Sequence, residues 1–289
     1  MNAAATRRAR DRVESILVHT LLIAAVVFAI YPLLWVISVA FSPGGISATH
    51  GALPLPTHPS LDNFRLLTGA GNSARGWLFG RQLANSILVA LATSFTAIAI
   101  ATPAAYALAR FDFVGARGGM RALLATQMFP AVASAVPLYL LLDALHLLDS
   151  RAGLVLVYAS TAVPFAIFQL RGAFLAISVD IEEAAMVDGA TRAEAFWKVV
   201  LPAARPAIAV TALYAFMSAY NEFILAATLL SRESAFTLPV VLQRYVGEHD
   251  AAWGIFAAGA IVVSLPVMAL FYYAQRHLVS GLTAGSVKG

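Results

Sequence analysis

The chain has 289 residues, of which 60% are hydrophobic and only 12% carry a charge, and it contains no cysteine. A soluble domain usually has about a quarter charged residues and at most about half apolar ones, so the composition excludes a typical soluble enzyme and a disordered protein. The absence of cysteine excludes a disulfide scaffold, a thiolate nucleophile and cysteine-ligated metals. Most of the chain is therefore expected to lie in lipid.

Six apolar runs are long enough to cross a bilayer, which takes about 20 residues of helix. The first follows a basic stretch at residues 7–12, but it is longer than the roughly 7 to 15 apolar residues of a secretory signal, so we predict an uncleaved span. The predicted spans are Ile16 to Phe41, Ala84 to Ala109, Ala122 to Leu142, Gly153 to Phe174, Arg205 to Leu230 and Ala252 to Ala274.

These runs predict an all-α integral membrane protein with one domain. A tail over residues 1–15 precedes a six-helix membrane domain over residues 16–277, and a second tail covers residues 278–289. The basic residues set the expected orientation, since cytoplasmic segments retain Lys and Arg. Thirteen of the 19 Lys and Arg residues lie on the side that holds both termini. Both termini are therefore predicted to face the cytoplasm of a bacterial inner membrane.

Two segments on the opposite side differ in character. Residues 42–83 are long and contain four prolines, which predicts an ordered or semi-ordered loop able to contact an external partner. A passive connector is the alternative interpretation. Residues 231–250 form a shorter loop with mixed charges.

The segment between spans four and five, residues 178–202, is too polar to span the membrane and too regular to be a tether. Asp180 followed three residues later by Glu183 is typical of a helix start, where acids interact favourably with the helix dipole. Gly189 is suited to end that helix in a left-handed conformation. Thr191 and Glu194 then form a second capping pattern.

The predicted second helix contains Phe196 and Trp197 and ends near Pro202. The aromatic pair is expected to be exposed, and to anchor the two helices to the rest of the protein or to a partner. Small residues at Ala184 and Ala185 would let a partner approach closely. The predicted unit is a helix, a glycine turn and a second helix at the cytoplasmic face.

This segment resembles the EAA loop of bacterial binding-protein-dependent ABC importer permeases. The family pattern is EAA, three residues, G, nine residues, I, one residue and LP, and here only Val199 departs from it by replacing Ile. In such permeases the loop docks in a cleft of the ATPase subunit. A pair of amphipathic surface helices that only happens to match is the alternative. The resemblance assigns ATPase coupling to Glu183, Ala184, Ala185, Asp188, Gly189, Leu201 and Pro202.

Further stretches are similar to the MalG-type permeases of maltose, maltodextrin and trehalose importers. They are Gln127 to Val132, Trp253-Gly254 with Phe256 to Ala258, and the tail Leu278 to Gly289. The resemblance implies a type I ABC importer permease fold with six transmembrane helices. It also implies that Gly285, Lys288 and Gly289 reach the interface of the ATPase subunits, whereas a disordered tail is the alternative.

No catalytic or metal site is predicted. The chain has no phosphate-binding G-x-x-x-x-G-K-[ST] loop, no H-E-x-x-H and no G-x-S-x-G, and its six histidines are scattered. No cofactor is therefore expected on this chain. The resemblance implies that ATP and Mg are used by a partner ATPase, and that the partners are a second, MalF-like permease subunit, two ATPase subunits and an external or periplasmic sugar-binding protein, with no nucleic acid.

Glu222 is the one acid well inside a predicted span, flanked by Tyr220 and Asn221. An ionisable residue in a membrane is costly and is therefore a functional hypothesis, and aromatic and amide neighbours suit a sugar pathway. A hydrogen-bonding role in helix packing is the alternative.

These observations predict a permease subunit, not an enzyme, that imports a sugar by alternating access. The resemblance suggests an α-glucoside such as maltose, maltodextrin or trehalose, with another carbohydrate class as the alternative. An ion-coupled secondary transporter would need several buried charges and inverted repeats. A membrane-embedded enzyme would need a catalytic constellation.

Overall fold

The computed structural model describes residues 3–44, 54–56, 58–69, 73–247 and 252–284. The predicted all-α fold is confirmed, because helices make up most of these ranges. The α-helices are α1 (Ala3–Phe41), α2 (Asp62–Thr68), α3 (Ser73–Arg110), α4 (Ala116–Thr126), α5 (Ala135–Ala144), α6 (Arg151–Ala176), α7 (Val179–Val187), α8 (Arg192–Ala195), α9 (Leu201–Ala203), α10 (Arg205–Tyr220), α11 (Ile224–Leu229), α12 (Leu238–Gln243) and α13 (Trp253–Ala284). Turns of 3₁₀-helix cover Ala131–Ser134 and Glu233–Ala235, and a π-helical turn covers Phe196–Val200.

Four of the predicted spans are single helices. The segments long and apolar enough to cross a membrane are Val13–Phe41, Gly76–Arg110, Arg151–Ala176 and Trp253–Gln275. The second span differs at its start, because α3 begins at Ser73, inside the segment that we predicted as a loop. The same segment also contains the short helix α2. Polar residues therefore extend the helix beyond its apolar part.

The third and fifth predicted spans are not continuous helices. The third consists of α4, an irregular stretch at residues 127–130, a 3₁₀ turn and α5. The fifth is interrupted at residues 221–223, between α10 and α11. Hydropathy reports the polarity of side chains and does not detect a break in the backbone.

A sharp bend precedes the fifth span. The helical stretch Arg192–Ala203 meets α10 at an angle of 72°. Pro206 lies in the first turn of α10, where its missing N–H is not needed by the helix. We name residues 178–202 the EAA segment, and its second helical stretch therefore runs in a different direction from α10.

The chain forms two compact units. The first comprises Met1–Gly76 and Leu242–Val262. Within it, the Asn63 amide donates hydrogen bonds to the carbonyl oxygens of Ala40, at 2.9 Å, and Ser42, at 3.0 Å. Gly254 lies directly against this amide, since a Cβ atom there would come within 2.6 Å of Asn63 Nδ2. The absence of a side chain at residue 254 thus makes room for the amide that joins α2 to the end of α1.

The second unit comprises Trp77–Val241 and Val263–Gly289. Its core contains small residues of α3 and α6, and alanines in facing membrane helices allow close approach. Aromatic and branched residues of the EAA segment complete this core. The buried set is Ala101, Ala105, Tyr106, Ala166, Ile167, Leu170, Phe174, Phe196, Val200 and Ala204.

At the other end of α3, polar side chains hold the loop at residues 231–238. The Asn85 amide donates to the carbonyl oxygens of Ser234 and Phe236, both at 3.0 Å. Gln82 donates to the Glu233 carbonyl, at 3.0 Å, and Ser86 accepts from the Leu238 N–H, at 2.7 Å. These contacts hold the loop against the first half of α3.

Candidate coupling site and helix breaks

The first helix of the EAA segment, α7, is capped by Ser178. The Ser178 hydroxyl accepts a hydrogen bond from the Asp180 N–H, at 3.3 Å. Asp180 thus lies in the first turn and is not the cap, which corrects the predicted start, although its charge still faces the positive end of the dipole. Gly189 follows the helix with a φ of +95°, so the predicted left-handed glycine is confirmed.

The predicted capping pair at Thr191 and Glu194 is also confirmed. The Glu194 carboxylate accepts from the Thr191 N–H, at 3.0 Å, and the Thr191 hydroxyl accepts from the Glu194 N–H, at 3.3 Å. Lys198 donates to the same carboxylate, at 2.8 Å. The Lys198 hydrogen bond, followed by those from Thr191, lowers the pKa of Glu194 to about 2.

The aromatic pair behaves differently from the prediction of two exposed rings. Trp197 is exposed, but Phe196 is buried, with its ring centroid 4.5 Å from that of Tyr106 on α3. Phe174 of α6 stands edge-on to Tyr106, at 5.9 Å. Phe196 therefore anchors the EAA segment to the core of the second unit, and Trp197 is the exposed member of the pair.

A buried ion pair makes a second connection between the EAA segment and the core. The Glu182 carboxylate lies 3.0 Å from Arg110 Nε, and their side chains are only 3% and 5% exposed. The Tyr106 hydroxyl donates to the other carboxylate oxygen of Glu182. Arg110 also donates to the Ile177 carbonyl, at 2.9 Å. Arg110, at the end of α3, thus joins the Glu182 carboxylate of α7 to the end of α6.

Sequence reasoning missed Glu182, because it precedes the EAA pattern and neighbours a second glutamate. The residues that the pattern assigned to coupling mostly face outward: Glu183, Ala184, Asp188 and Gly189 are exposed, while Ala185 is partly buried. Leu201 and Pro202 are also partly buried, and Leu201 packs against the core of the second unit. The structure thus separates an outward surface on α7 from the inward residue Glu182.

The three residues predicted for a substrate path lie at the break of the fifth span. Glu222 accepts hydrogen bonds from the N–H groups of Leu225, at 2.8 Å, and Ala226, at 3.0 Å, and from the Tyr158 hydroxyl, at 2.8 Å. Its carboxylate therefore satisfies the free N–H groups at the start of α11 and ties them to α6. This geometry fits the packing interpretation.

The neighbours of Glu222 differ from each other in burial. Tyr220 is buried, and its hydroxyl donates to the Val263 carbonyl, at 3.1 Å. Asn221 is exposed and donates to the Met217 carbonyl of the preceding turn, at 2.9 Å. Asn221 is thus the most exposed of the three, and Glu222 is partly buried.

The predicted tail contacts at Gly285, Lys288 and Gly289 lie outside the described residues. Within the part of the chain that the structure describes, no group of three His, Asp or Glu side chains is arranged to hold a metal ion.

Residues 97–283 match the family described as a binding-protein-dependent transport system inner membrane component. The trehalose transport system permease protein of Mycobacterium tuberculosis is 37% identical over 264 residues, covering 91% of this chain and 93% of that protein. The maltose/maltodextrin transport system permease protein of Vibrio vulnificus is 36% identical, covering 94% and 95%. The galactooligosaccharides transport system permease protein of Bacillus subtilis is 31% identical, covering 99% of each chain.

The fold is also similar to a solved structure. A chain in the crystal structure of a bacterial ABC transporter involved in the import of the acidic polysaccharide alginate superposes with a TM-score of 0.75 and 26% identity. The match covers 92% of this chain and 97% of that one. The region that matches the family, residues 97–283, contains the whole EAA segment and both helix breaks.

Proposed function

We propose a working mechanism from the premise that this chain belongs to the family of binding-protein-dependent transport system inner membrane components. It is the permease subunit of an ABC sugar importer, and it is a transport subunit and not an enzyme. Membership of this family rules out the two alternatives, an ion-coupled secondary transporter and a membrane-embedded enzyme.

The EAA segment is proposed as the surface that receives force from an ATPase subunit. This proposal rests on the contrast between two adjacent glutamates. Glu183 is exposed on α7, whereas Glu182 is buried against Arg110. A partner can therefore bind the outer surface of α7 and displace it as a rigid piece. The buried pair and Phe196 transmit that displacement to α3 and α6.

The proposed assembly contains this subunit, a second permease subunit, two ATPase subunits that use ATP and Mg, and an external or periplasmic sugar-binding protein. Both termini and the EAA segment face the cytoplasm of a bacterial inner membrane in this proposal, which follows the excess of Lys and Arg on that side. Binding protein and ATP favour different states of the spans, and their differential affinity shifts the population between outward-open and inward-open forms. Gly285, Lys288 and Gly289 are proposed to reach the ATPase interface.

An α-glucoside such as maltose, maltodextrin or trehalose is proposed as the cargo. Two relatives at 36–37% identity are described as permeases for trehalose and for maltose/maltodextrin. Another carbohydrate class is the competing proposal, because a relative that covers the whole chain is described as a permease for galactooligosaccharides.

Tyr220, Asn221 and Glu222 remain a prediction for the substrate path. We give Glu222 the packing role, because its carboxylate already accepts three hydrogen bonds at the start of α11. Asn221 is the member of this group best placed to meet a passing sugar, since it is exposed.

The coupling proposal is tested with Gly189→Asp in the reconstituted importer. The variant should still insert in the membrane, because nothing lies within 4 Å of a Cβ atom at this position and the strain is confined to one exposed turn. It should lose ATP-coupled uptake, since the substitution strains the turn at a φ of +95° and adds a charge to the docking surface. Uptake at the wild-type rate, with the ATPase subunits still co-purifying, contradicts the assignment.

The cargo is tested by measuring ATPase stimulation of the same complex with its binding protein. The sugars are maltose, trehalose, a galactooligosaccharide and diacetylchitobiose. Stimulation by maltose or trehalose supports the α-glucoside proposal, and stimulation only by the other two overturns it.

A further inference from the structure

Irregular backbone interrupts the third span near its middle. It lies between Thr126 and Ala131, about halfway from the start of α4 to the end of α5. Met128 and Phe129, at its centre, are 86% and 63% exposed. Irregular backbone at membrane depth is tolerated only where it contacts protein or lines a water-filled cavity, because lipid cannot satisfy its polar groups.

A cavity of about 650 Å³ opens at this break, between α4, α5 and α6. Its volume lies within the roughly 300 to 1,000 Å³ of small-molecule sites. Polar groups reach it from the hydroxyls of Thr126, Ser134 and Ser160 and from the amide of Gln127. Among the described residues that line it, none carries a charge. Such a lining suits a neutral ligand with many hydroxyl groups better than an ion or an acidic polysaccharide.

Gln127 and Phe129 supply the two kinds of contact that a sugar needs. The Gln127 amide donates to the Thr161 carbonyl, at 3.0 Å, which fixes the break against α6. An amide has a second N–H and a carbonyl oxygen, so it can also donate to and accept from a sugar hydroxyl. The exposed Phe129 ring offers an apolar face on which the C–H face of a pyranose can pack.

The cavity is connected to the break of the fifth span through α6. The Thr161 hydroxyl donates to the Tyr158 carbonyl, at 2.9 Å, and the Tyr158 hydroxyl donates to Glu222, at 2.8 Å. In addition, α11 contacts both α5 and the 3₁₀ turn Ala131–Ser134 that precedes it. The two interrupted spans therefore contact each other, and α6 contacts both breaks.

We propose that Gln127, Phe129 and Ser160 form a contact site for a neutral sugar within the transport path of this subunit. This site is distinct from Tyr220, Asn221 and Glu222, and its assignment rests on the proposed function as a sugar permease. The partner permease completes the path on the open side of the cavity.

The absence of native cysteine makes a direct test possible, since one introduced thiol becomes the only label site on this chain. Gln127→Cys and Ser160→Cys are prepared separately in the full importer, with Ser160→Cys as the nearly isosteric variant that preserves the fold. The matched control is Val132→Cys, an exposed residue of the same broken segment that does not line the cavity. Each complex is labelled with a charged methanethiosulfonate reagent, and labelling of this chain is followed by mass spectrometry.

Labelling is compared with and without the sugar that the wild-type complex takes up from the panel of maltose, trehalose, a galactooligosaccharide and diacetylchitobiose. We expect both cavity thiols to react, and the sugar to slow their labelling several-fold while Val132→Cys is unchanged. Unreactive cavity thiols, no slowing, or equal slowing at Val132→Cys overturns the site. If the wild-type complex takes up only diacetylchitobiose, the α-glucoside cargo is overturned. The contact site is then tested by whether diacetylchitobiose slows the labelling of the two cavity thiols.

Discussion

The Nε atom of Arg110 lies 3.0 Å from Glu182 Oε2 and joins residues 72 positions apart in the chain. Arg110 is the last residue of α3, and Glu182 lies on the inner side of α7, where Tyr106 also donates to it. This pair fixes the EAA segment to the longest helix of the second unit. It leaves Glu183, the next residue, on the exposed side.

The first prediction contrasts these adjacent glutamates. Glu182→Gln leaves the Arg110 cation buried without a carboxylate partner, and breaking a buried pair in this way costs about 3 to 5 kcal/mol. We expect a clearly lower unfolding temperature of the purified complex and reduced uptake. Glu183→Gln should leave the unfolding temperature unchanged and reduce only ATP-coupled uptake. Equal loss of stability in both variants contradicts the division into an inner and an outer glutamate.

The second prediction concerns the pH dependence of the cap at Glu194. Its folded-state pKa of about 2 lies below the ordinary value of 4.5, so its contribution to stability is present above pH 4.5 and is lost as the pH falls towards 2. The difference in unfolding temperature between wild type and Glu194→Gln should be constant from neutral pH down to about pH 5 and should shrink below that. A difference that grows on acidification contradicts the assignment.

The third prediction concerns the break of the fifth span. Glu222→Ala removes the acceptor for two backbone N–H groups and the Tyr158 hydroxyl, and each lost hydrogen bond costs on the order of 1 kcal/mol. Glu222→Gln keeps one acceptor oxygen and should recover part of that stability. Thermal unfolding and competition uptake with the sugar panel check this. We expect the order of sugar preference to be the same in both variants, and a changed order would instead support the substrate-path interpretation of Glu222.

The fourth prediction concerns Gly254 in the first unit. Gly254→Ala places a Cβ atom against the Asn63 amide, which must then give up its hydrogen bonds to Ala40 and Ser42. A buried amide left without partners costs about 1 to 3 kcal/mol. Gly172→Ala on α6 is the matched control, because nothing lies within 4 Å of its added Cβ atom and alanine favours the helix. Limited proteolysis and thermal unfolding should separate the two; similar stability of both variants would rule out the steric argument.

Much of the local structure could be predicted from the sequence. The capping pair at Thr191 and Glu194 and the glycine turn at Gly189 depend on residues within four positions of each other, so their patterns are visible in the chain. Four of the spans were also predictable, because apolar length alone decides whether a helix can cross a bilayer.

The helix breaks were harder to predict, although one carried a signal. Pro130 disfavours the helical conformation at the residue before it, and this marks the interruption at residues 127–130. No comparable signal marks residues 221–223. That break is stabilised by Tyr158, which is 64 residues away in sequence and meets Glu222 only in the folded chain.

Composition and local patterns are sufficient to predict the lipid environment, the four single-helix spans and the local turns of the EAA segment, because these follow from side-chain polarity and from contacts between near neighbours. The folded chain is needed to find which glutamate is buried, which aromatic ring anchors the segment and where the fifth span is broken. These features depend on contacts between residues far apart in sequence, Glu182 with Arg110 and Glu222 with Tyr158. Burying a charge is tolerated only where a partner is already in place, and that partner is supplied by the fold.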